Sequence, residues 1–277
     1  MKISNLLLAE SSAPKFVDAP RLDESQLILG DVELPLHNAE FINNCFSVAR
    51  AWGIRQLLLA GDFIHWSSLS PFRDTKNDMS AEIELIEQYL AVFVEPWEHV
   101  TWMEGNHERR PQRALDRLLK AKYAARLIVP PDLAKEFERK VTCTDYFYAY
   151  VGEDWLIEHP QATNIVPANA ARRIAGAQGY NVAMAHDHLV GIQQTEDGKH
   201  WGVEIGCCAD PDRMEYYQHR HTTRPRWVNA ALILRRVEDR FYPTLLTPDW
   251  TDWDWEKRNR NNSRVTQSRS NSRKRHN

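Results

Sequence analysis

Long hydrophobic runs are missing from this sequence: none approaches the roughly 18 to 20 apolar residues that a membrane-spanning helix needs, so no membrane partner is expected. The opening segment, MKISNLLLAESSAPKF, carries one lysine and three consecutive leucines before Glu10. It is too short and too soon acidic for a secretory signal, which predicts a soluble, cytoplasmic protein. Cysteine is scarce, with Cys45 and Cys143 isolated and Cys207 next to Cys208. The absence of any C-x-x-C argues against a thiolate zinc site and against a dithiol redox motif, leaving reduced thiols as the expectation. No internal repeat and no low-complexity linker occurs before residue 257.

Acid is absent from the end of the chain. From Lys257 to Asn277 there are eight Lys or Arg and no Asp or Glu, so the rest of the chain sets 27 basic residues against 38 acidic ones. A tail with so little apolar content cannot offset its own ordering entropy and is expected to be disordered. Its charge suits nucleic acid or another polyanion through counterion release. A solubilising terminus is the alternative. The expected organisation is an N-terminal extension over 1–25, one domain over 26–256 and the basic tail over 257–277.

One pattern recurs in what is present. Five short apolar runs with strand character end abruptly at residues that bind metals or move protons. They are QLILGD ending at Asp31, RQLLLAGD at Asp62, HVTWMEGNHE at Asn106 and His107, DWLIEH at His159, and YNVAMAHDH at His186 and His188. Helix-like segments lie between several of them. Asn38 suits the cap of one that puts Ile42, Cys45, Phe46 and Ala49 on one face and closes at Gly53. Ser80 suits the cap of a second, with Ile83, Ile86, Leu90 and Phe93 at helical spacing and Glu82 and Glu84 in its first turn. Pro167 suits the start of a third, through Ile174 to Gly179. Strands alternating with helices predict a largely parallel first sheet, with the five strand ends converging on one rim. After His188 the runs HWGVEIGC, RWVNAALILRR and FYPTLLTP predict a second, more antiparallel sheet packed on the first. Trp227, Trp250, Trp253 and Trp255 are read as core packing or a C-terminal latch.

Carboxylates, an amide and several imidazoles without a thiolate make a borderline-hard N/O ligand set, suited to Mn, Fe, Zn or Ni. Two neighbouring divalent ions need a bridging carboxylate, and Asp62 beside Gly61 is the candidate. A paired site of this kind orients an in-line attack on phosphorus.

The order Asp31, Gly61-Asp62, Gly105-Asn106-His107-Glu108, His159 and His186-Asp187-His188 resembles the D-x-H, G-D, G-N-H-E, H and G-H-x-H series of the calcineurin-like metallophosphoesterases. The likeness runs from about residue 26 to residue 246. SLSPF at 68–72, GNHERR at 105–110 and GVEIGC, with the later tyrosines and Trp227, resemble a phage-associated branch described as phosphatases or exonucleases. The resemblance implies a four-layer α/β/β/α sandwich of two mixed sheets flanked by helices. It implies two divalent ions, Mn²⁺ first among Mn, Fe, Zn, Ni and Mg. One would be held by Asp31, Glu33, Asp62 and His188, the other by Asp62, Asn106, His159 and His186. His107, Asp62 and His65 would be catalytic, His107 facing the scissile phosphate, and Arg109 and Arg110 would bind the substrate's phosphate.

Four positions depart from the series. Glu33 stands where the family usually has the histidine of D-x-H, and a carboxylate there shifts the preference toward harder ions. His65 stands where many relatives carry Asp and where some repair nucleases of the superfamily carry His. Pro160 and Ala185 replace glycines. His37, four residues past Glu33, is expected beside the ligands or at the surface. The expected activity is hydrolysis of a phosphate ester, leaning to a nucleic-acid or nucleotide phosphodiester. A phosphomonoesterase, or a catalytically weakened module that binds nucleic acid or protein, are the alternatives.

Overall fold

The computed structural model describes residues 19–70, 79–118, 130–214 and 227–251. The basic tail, Trp253 and Trp255, and the end of the SLSPF segment lie outside them. Among the described residues no helix is long and apolar enough to cross a membrane.

Each of the five ligand-bearing runs forms a strand. QLIL is β2 (Gln26–Leu29), QLLLA is β3 (Gln56–Ala60) and HVTWM is β4 (His99–Met103). WLIE is β7 (Trp155–Glu158) and NVAM is β8 (Asn181–Met184). The remaining strands are β1 (Arg21–Leu22), β5 (Val141–Cys143), β6 (Tyr148–Val151), β9 (Val190–Gln194), β10 (Trp201–Ile205), β11 (Ala231–Val237) and β12 (Arg240–Leu246).

They form two six-stranded mixed sheets, ordered β12-β11-β2-β3-β4-β5 and β1-β6-β7-β8-β10-β9. In the first, β2 to β5 are parallel, while β11 runs antiparallel to both β2 and β12. In the second, β7, β8 and β10 are parallel, β6 is parallel to β1 and antiparallel to β7, and β9 is antiparallel to β10. The expected division of strands is therefore corrected. The ligand-bearing strands are split, three to the first sheet and two to the second, and the late strands are split as well. β6 and β7 pair as a hairpin with Gly152 in its turn at φ 60°, and β8 and β10 extend that second sheet. The fully buried ALIL stretch of β11 then fits beside β2 rather than at an exposed edge. Because β1 pairs with β6, the second sheet also takes in residues ahead of position 26.

Period-two alternation makes the layers. Leu27, Leu29, Leu57, Leu59, Val100 and Trp102 point outward into a core shared with α1 (Ala39–Ala51) and α2 (Met79–Val94). Ile28, Leu58, Ala60 and Met103 point inward and meet Ile157, Ala183, Val203 and Ile205 of the second sheet. On that sheet's far side Leu156, Val182 and Met184 pack on Ala170, Ala171 and Ala175 of the helix Asn169–Gln178. The result is the helix, sheet, sheet, helix sandwich that the sequence implied.

Asn38 caps α1, its Oδ1 accepting from the Phe41 amide at 3.1 Å, and the four residues expected on the inner face are all buried. Ser80 is not a cap, since helix already runs from Met79. Pro167 sits outside its helix, where Ala168 takes the cap position and Gly179 closes the far end at φ 74°. All four cysteines are free thiols.

Candidate metal centre at the strand ends

After β2, β3 and β8 the chain turns within two residues of the strand at a candidate ligand, and the cost is visible in the backbone. Among the described residues, eight non-glycine positions have positive φ, and five of them are candidate ligands: Asp31 (47°), Glu33 (53°), Asp62 (49°), His186 (92°) and His188 (60°). Left-handed conformations of this kind cost roughly 1–3 kcal/mol each and persist where the surroundings over-determine them. Gly61, at φ 82°, and Gly105 permit the close approach: a Cβ on Gly105 would lie 2.2 Å from the Asp62 amide nitrogen.

Glu108 ties the loops together. Its buried carboxylate accepts from the amides of Asp62 (3.0 Å), Phe63 (2.7 Å), Ile64 (3.2 Å) and Gly105 (2.9 Å). The loops after β3 and β4 are thus fixed through one side chain, and the His107 amide adds a bond to Asp62 Oδ1 at 2.8 Å. In the sequence Glu108 stands within G-N-H-E with no role of its own. A carboxylate flanked by two turns, with many orphan amides to satisfy, was the available signal.

Among the described residues, candidate ligand atoms converge in three groups; one, Glu33 with His65 and His107, shares Glu33 with its neighbour, and the expected ligands make up the other two. Asp31, Glu33 and His188 form one, and Asp62, His159 and His186 form the other, with the atoms of each group within 4.8 Å of one another. In the first, Nε2 of His188 lies 3.1 Å from Asp31 Oδ1 and 3.4 Å from Glu33 Oε1. In the second, Nε2 of His159 lies 3.4 Å from Asp62 Oδ2 and 3.3 Å from Asn106 Oδ1. His159 Nδ1 contacts the Ala60 carbonyl at 2.9 Å, which directs the proton to Nδ1 and points Nε2 at the group. His107 lies between the two, Nδ1 3.8 Å from Glu33 Oε2 and Nε2 3.6 Å from Asp62 Oδ2. Asp31, Glu33, Asp62, His107, His159 and His188 are buried, and His186 is half-buried.

Buried carboxylates facing imidazoles set the electrostatics. Burial raises the Glu33 carboxyl, but His107, His65 and His188 outweigh it and hold Glu33 down to about 2. Asp62 is likewise held well below the usual carboxylate range, against burial, by His107 and His159. Burial disfavours the charged form of His159, yet Asp62 and Asp31 lift it to about 10. His107 goes the other way: burial, with Arg110 and His65 adding to it, brings it to about 4 despite Asp62 and Glu33.

Divalent cations fit this set. The donors are oxygen and imidazole nitrogen only, they converge from two directions, and the buried Nδ1 of His186 has no hydrogen-bond partner among the described residues.

The other expected site residues fall unevenly. Arg110 reaches the centre, its Nη2 donating to His107 Nε2 at 2.6 Å and its Nη1 to the His65 carbonyl. Arg109 is engaged elsewhere, paired with Glu104 at 2.7 Å and lying over the Phe147 ring at 4.5 Å. His65 is buried in direct contact with Glu33. His37 is buried edge-on to Tyr89, with 4.5 Å between ring centroids, so it belongs to the helix-side packing. Trp227 stacks edge-on against His188 at 4.0 Å, so one of the late tryptophans borders the centre. Pro160 and Ala185 do not have positive φ, and the Ala185 methyl fills the space opposite Gly30, where a Cβ would approach it to 2.7 Å. The two lost glycines are thereby accommodated.

No protein-family model matches the chain, and no curated protein sequence matches it. Among solved structures the chain is similar to Vacuolar Protein Sorting 29 from Cryptosporidium parvum, with a TM-score of 0.38 and 11% identity over 81% of this chain and 97% of that one. It is similar to Yfce, a phosphoesterase from E. coli, with a TM-score of 0.39 and 12% identity over 80% and 98%. A single mutant of Vps29 from Entamoeba histolytica gives a TM-score of 0.35 and 9% identity over 80% and 98%. Overlaps this loose carry no weight for the chemistry, which rests on the side chains described above. The layered sandwich is the fold that the resemblance to calcineurin-like metallophosphoesterases implied, and the candidate ligands lie at its strand ends.

Proposed function

We propose that the protein is a metal-dependent phosphoesterase. The observation that carries this reading is the pair of buried ligand groups, drawn from both sheets, with His107 between them. Asp31, Glu33 and His188 would hold one divalent ion; His159, His186 and Asn106 would hold the other, with Asp62 between. Bound there, two ions would acidify a water and neutralise the charge that builds on the phosphoryl oxygens during in-line displacement. Mn²⁺ is the first choice because a third carboxylate hardens the set.

The chain's own residues supply the rest. Arg110 is within reach of a phosphate oxygen held beside His107, and a bidentate guanidinium would orient it. Turning to the phosphate would take Arg110 off Nε2 of His107 and remove a cation that keeps this imidazole neutral. His107 could then hold a proton close to the leaving oxygen. Within this class we favour a phosphodiester of nucleic acid or a nucleotide, supported by the basic tail.

Hydrolysis of bis-p-nitrophenyl phosphate and of p-nitrophenyl phosphate with added Mn²⁺ tests the reading, with His107→Ala as the blank. Turnover of the diester that falls by at least about 100-fold in the variant is expected. Turnover of the monoester alone would move the assignment to a phosphomonoesterase. Folded, metal-loaded protein that turns over neither would favour a binding module.

A further inference from the structure

Glu33 uses its two oxygens differently. Oε1 faces His188 Nε2 at 3.4 Å, toward the group that includes Asp31, whereas Oε2 is taken by Nδ1 of His65. Both side chains are almost fully enclosed, at 1% and 3% exposure. Their approach is built into the backbone. Leu34 and Ile64 form a parallel bridge, the Leu34 amide donates to the Phe63 carbonyl at 2.8 Å, and the His65 amide donates to the Leu34 carbonyl at 2.9 Å. The loops after β2 and β3 therefore continue their strands' pairing and hold positions 33 and 65 together.

We propose that His65 is a positioning residue, locking Glu33 as a one-oxygen ligand of the Asp31 and His188 group. This rests on reading that group as a metal site, and it replaces the catalytic role that the resemblance implied for His65. The carboxylate therefore sits in the ligand position, with the imidazole behind it on its other oxygen. A ligand's outer partner fixes its orientation and commonly changes metal affinity by about 10–100-fold.

A third cation held by Glu33, His65 and His107 is the competing use of the same atoms, which also lie within 4.8 Å of one another. The contact to Arg110 argues against it. A guanidinium can only donate, so Nε2 of His107 is the acceptor, and the proton of the neutral ring then sits on Nδ1, the nitrogen that faces Glu33.

The test is Mn²⁺ binding to the full chain, by metal analysis after dialysis and by calorimetric titration, in the wild type and in five variants. These are His65→Ala, His65→Asn, Glu33→His, His65→Asp and the double exchange Glu33→His/His65→Asp. The wild type should bind two equivalents. His65→Ala should weaken one of them by at least about 10-fold without removing the other. His65→Asn, whose amide keeps a donor near Nδ1, should recover most of the loss. Each single exchange should also weaken that equivalent, while the double exchange should restore it and shift preference from Mn²⁺ toward Zn²⁺. If His65→Ala does not fold, the asparagine variant and the double exchange decide. Unchanged affinity in His65→Ala, or a double exchange no better than its singles, would overturn the proposal. A third wild-type equivalent lost in His65→Ala would overturn it in favour of the competing site. A wild type that binds no metal would overturn the metal reading itself.

Discussion

Glu204, on β10, lies behind the candidate centre and has no exposed surface. Its Oε2 accepts from the Ala168 amide at 2.7 Å, and its carboxyl meets that of Asp187, the residue between His186 and His188. Burial and then the Asp187 charge push Glu204 up to about 7, and burial raises Asp187 as well. Two carboxyls in contact, one buried and one half-buried, cannot both ionise cheaply, so the pair retains a proton near neutrality. The folded state therefore holds a proton that the unfolded chain has released above its ordinary value near 4.5. The contribution to stability is complete below that value and is lost as pH rises through about 7. Glu204→Gln keeps the acceptor for Ala168 and gives Asp187 a donor that does not titrate. Unfolding followed in chelator should show the variant gaining on the wild type from pH 5 upward, by at most about 1.4 kcal/mol per unit of pH. Parallel curves for the two proteins across that window would rule the shared proton out.

At the level of elements, the segment that follows Asp62 is held from outside the centre. Glu82 of α2 is buried, and its carboxylate accepts from the Ser67 amide at 2.6 Å and from the Ser68 amide and hydroxyl at 3.1 and 2.8 Å. Trp66, one residue after His65 and next to Ser67, is buried at φ 52°. Glu82→Ala would strand these donors inside the protein. A destabilisation of about 2–3 kcal/mol is expected in a denaturant titration, together with weaker Mn²⁺ binding because the His65 loop loosens. A loss under about 0.5 kcal/mol, typical of a surface change, would show that the clamp is incidental. In the sequence Glu82 reads as a helix-dipole acid of a first turn, and nothing local marks it as buried. The strands and α1 were legible because their signals are local: alternating apolar runs, an Asn cap, a closing glycine. The five motif positions were legible because each ends such a run. Sheet membership, the grip of Glu108 on four amides, the separation of Arg110 from Arg109 and the contact between Glu33 and His65 were not. Each depends on residues brought together by strand order or by the path of a side chain, to which periodicity is blind.

For the whole molecule, the decisive feature is that the two groups read as metal sites each take residues from both sheets. Asp31 and Glu33 follow a strand of the first sheet and His188 a strand of the second; Asp62 follows the first, and His159 and His186 the second. The sheets already meet there through Asp31 Oδ2 accepting from the His186 amide at 2.9 Å and through His159 on the Ala60 carbonyl. A cation in either group would be a cross-link present only in the folded state, because unfolding scatters ligands as distant in sequence as Asp31 and His188 or Asp62 and His186. Binding of that kind stabilises by about 2.7 kcal/mol per site when free metal is 100-fold above its dissociation constant. Two sites would then supply about 5 kcal/mol, which for a chain of this size raises Tm by roughly 10–20 °C. Melting the protein in chelator and at increasing Mn²⁺ should show that rise, growing with the logarithm of metal concentration. His188→Ala and His186→Ala each remove a ligand from a different group, so each should lose about half of the gain, and the pair should lose nearly all of it. A rise that survives both substitutions would place the stabilising metal elsewhere. Two variants that each abolish the whole gain would mean that the two groups bind as a single unit, joined through Asp62.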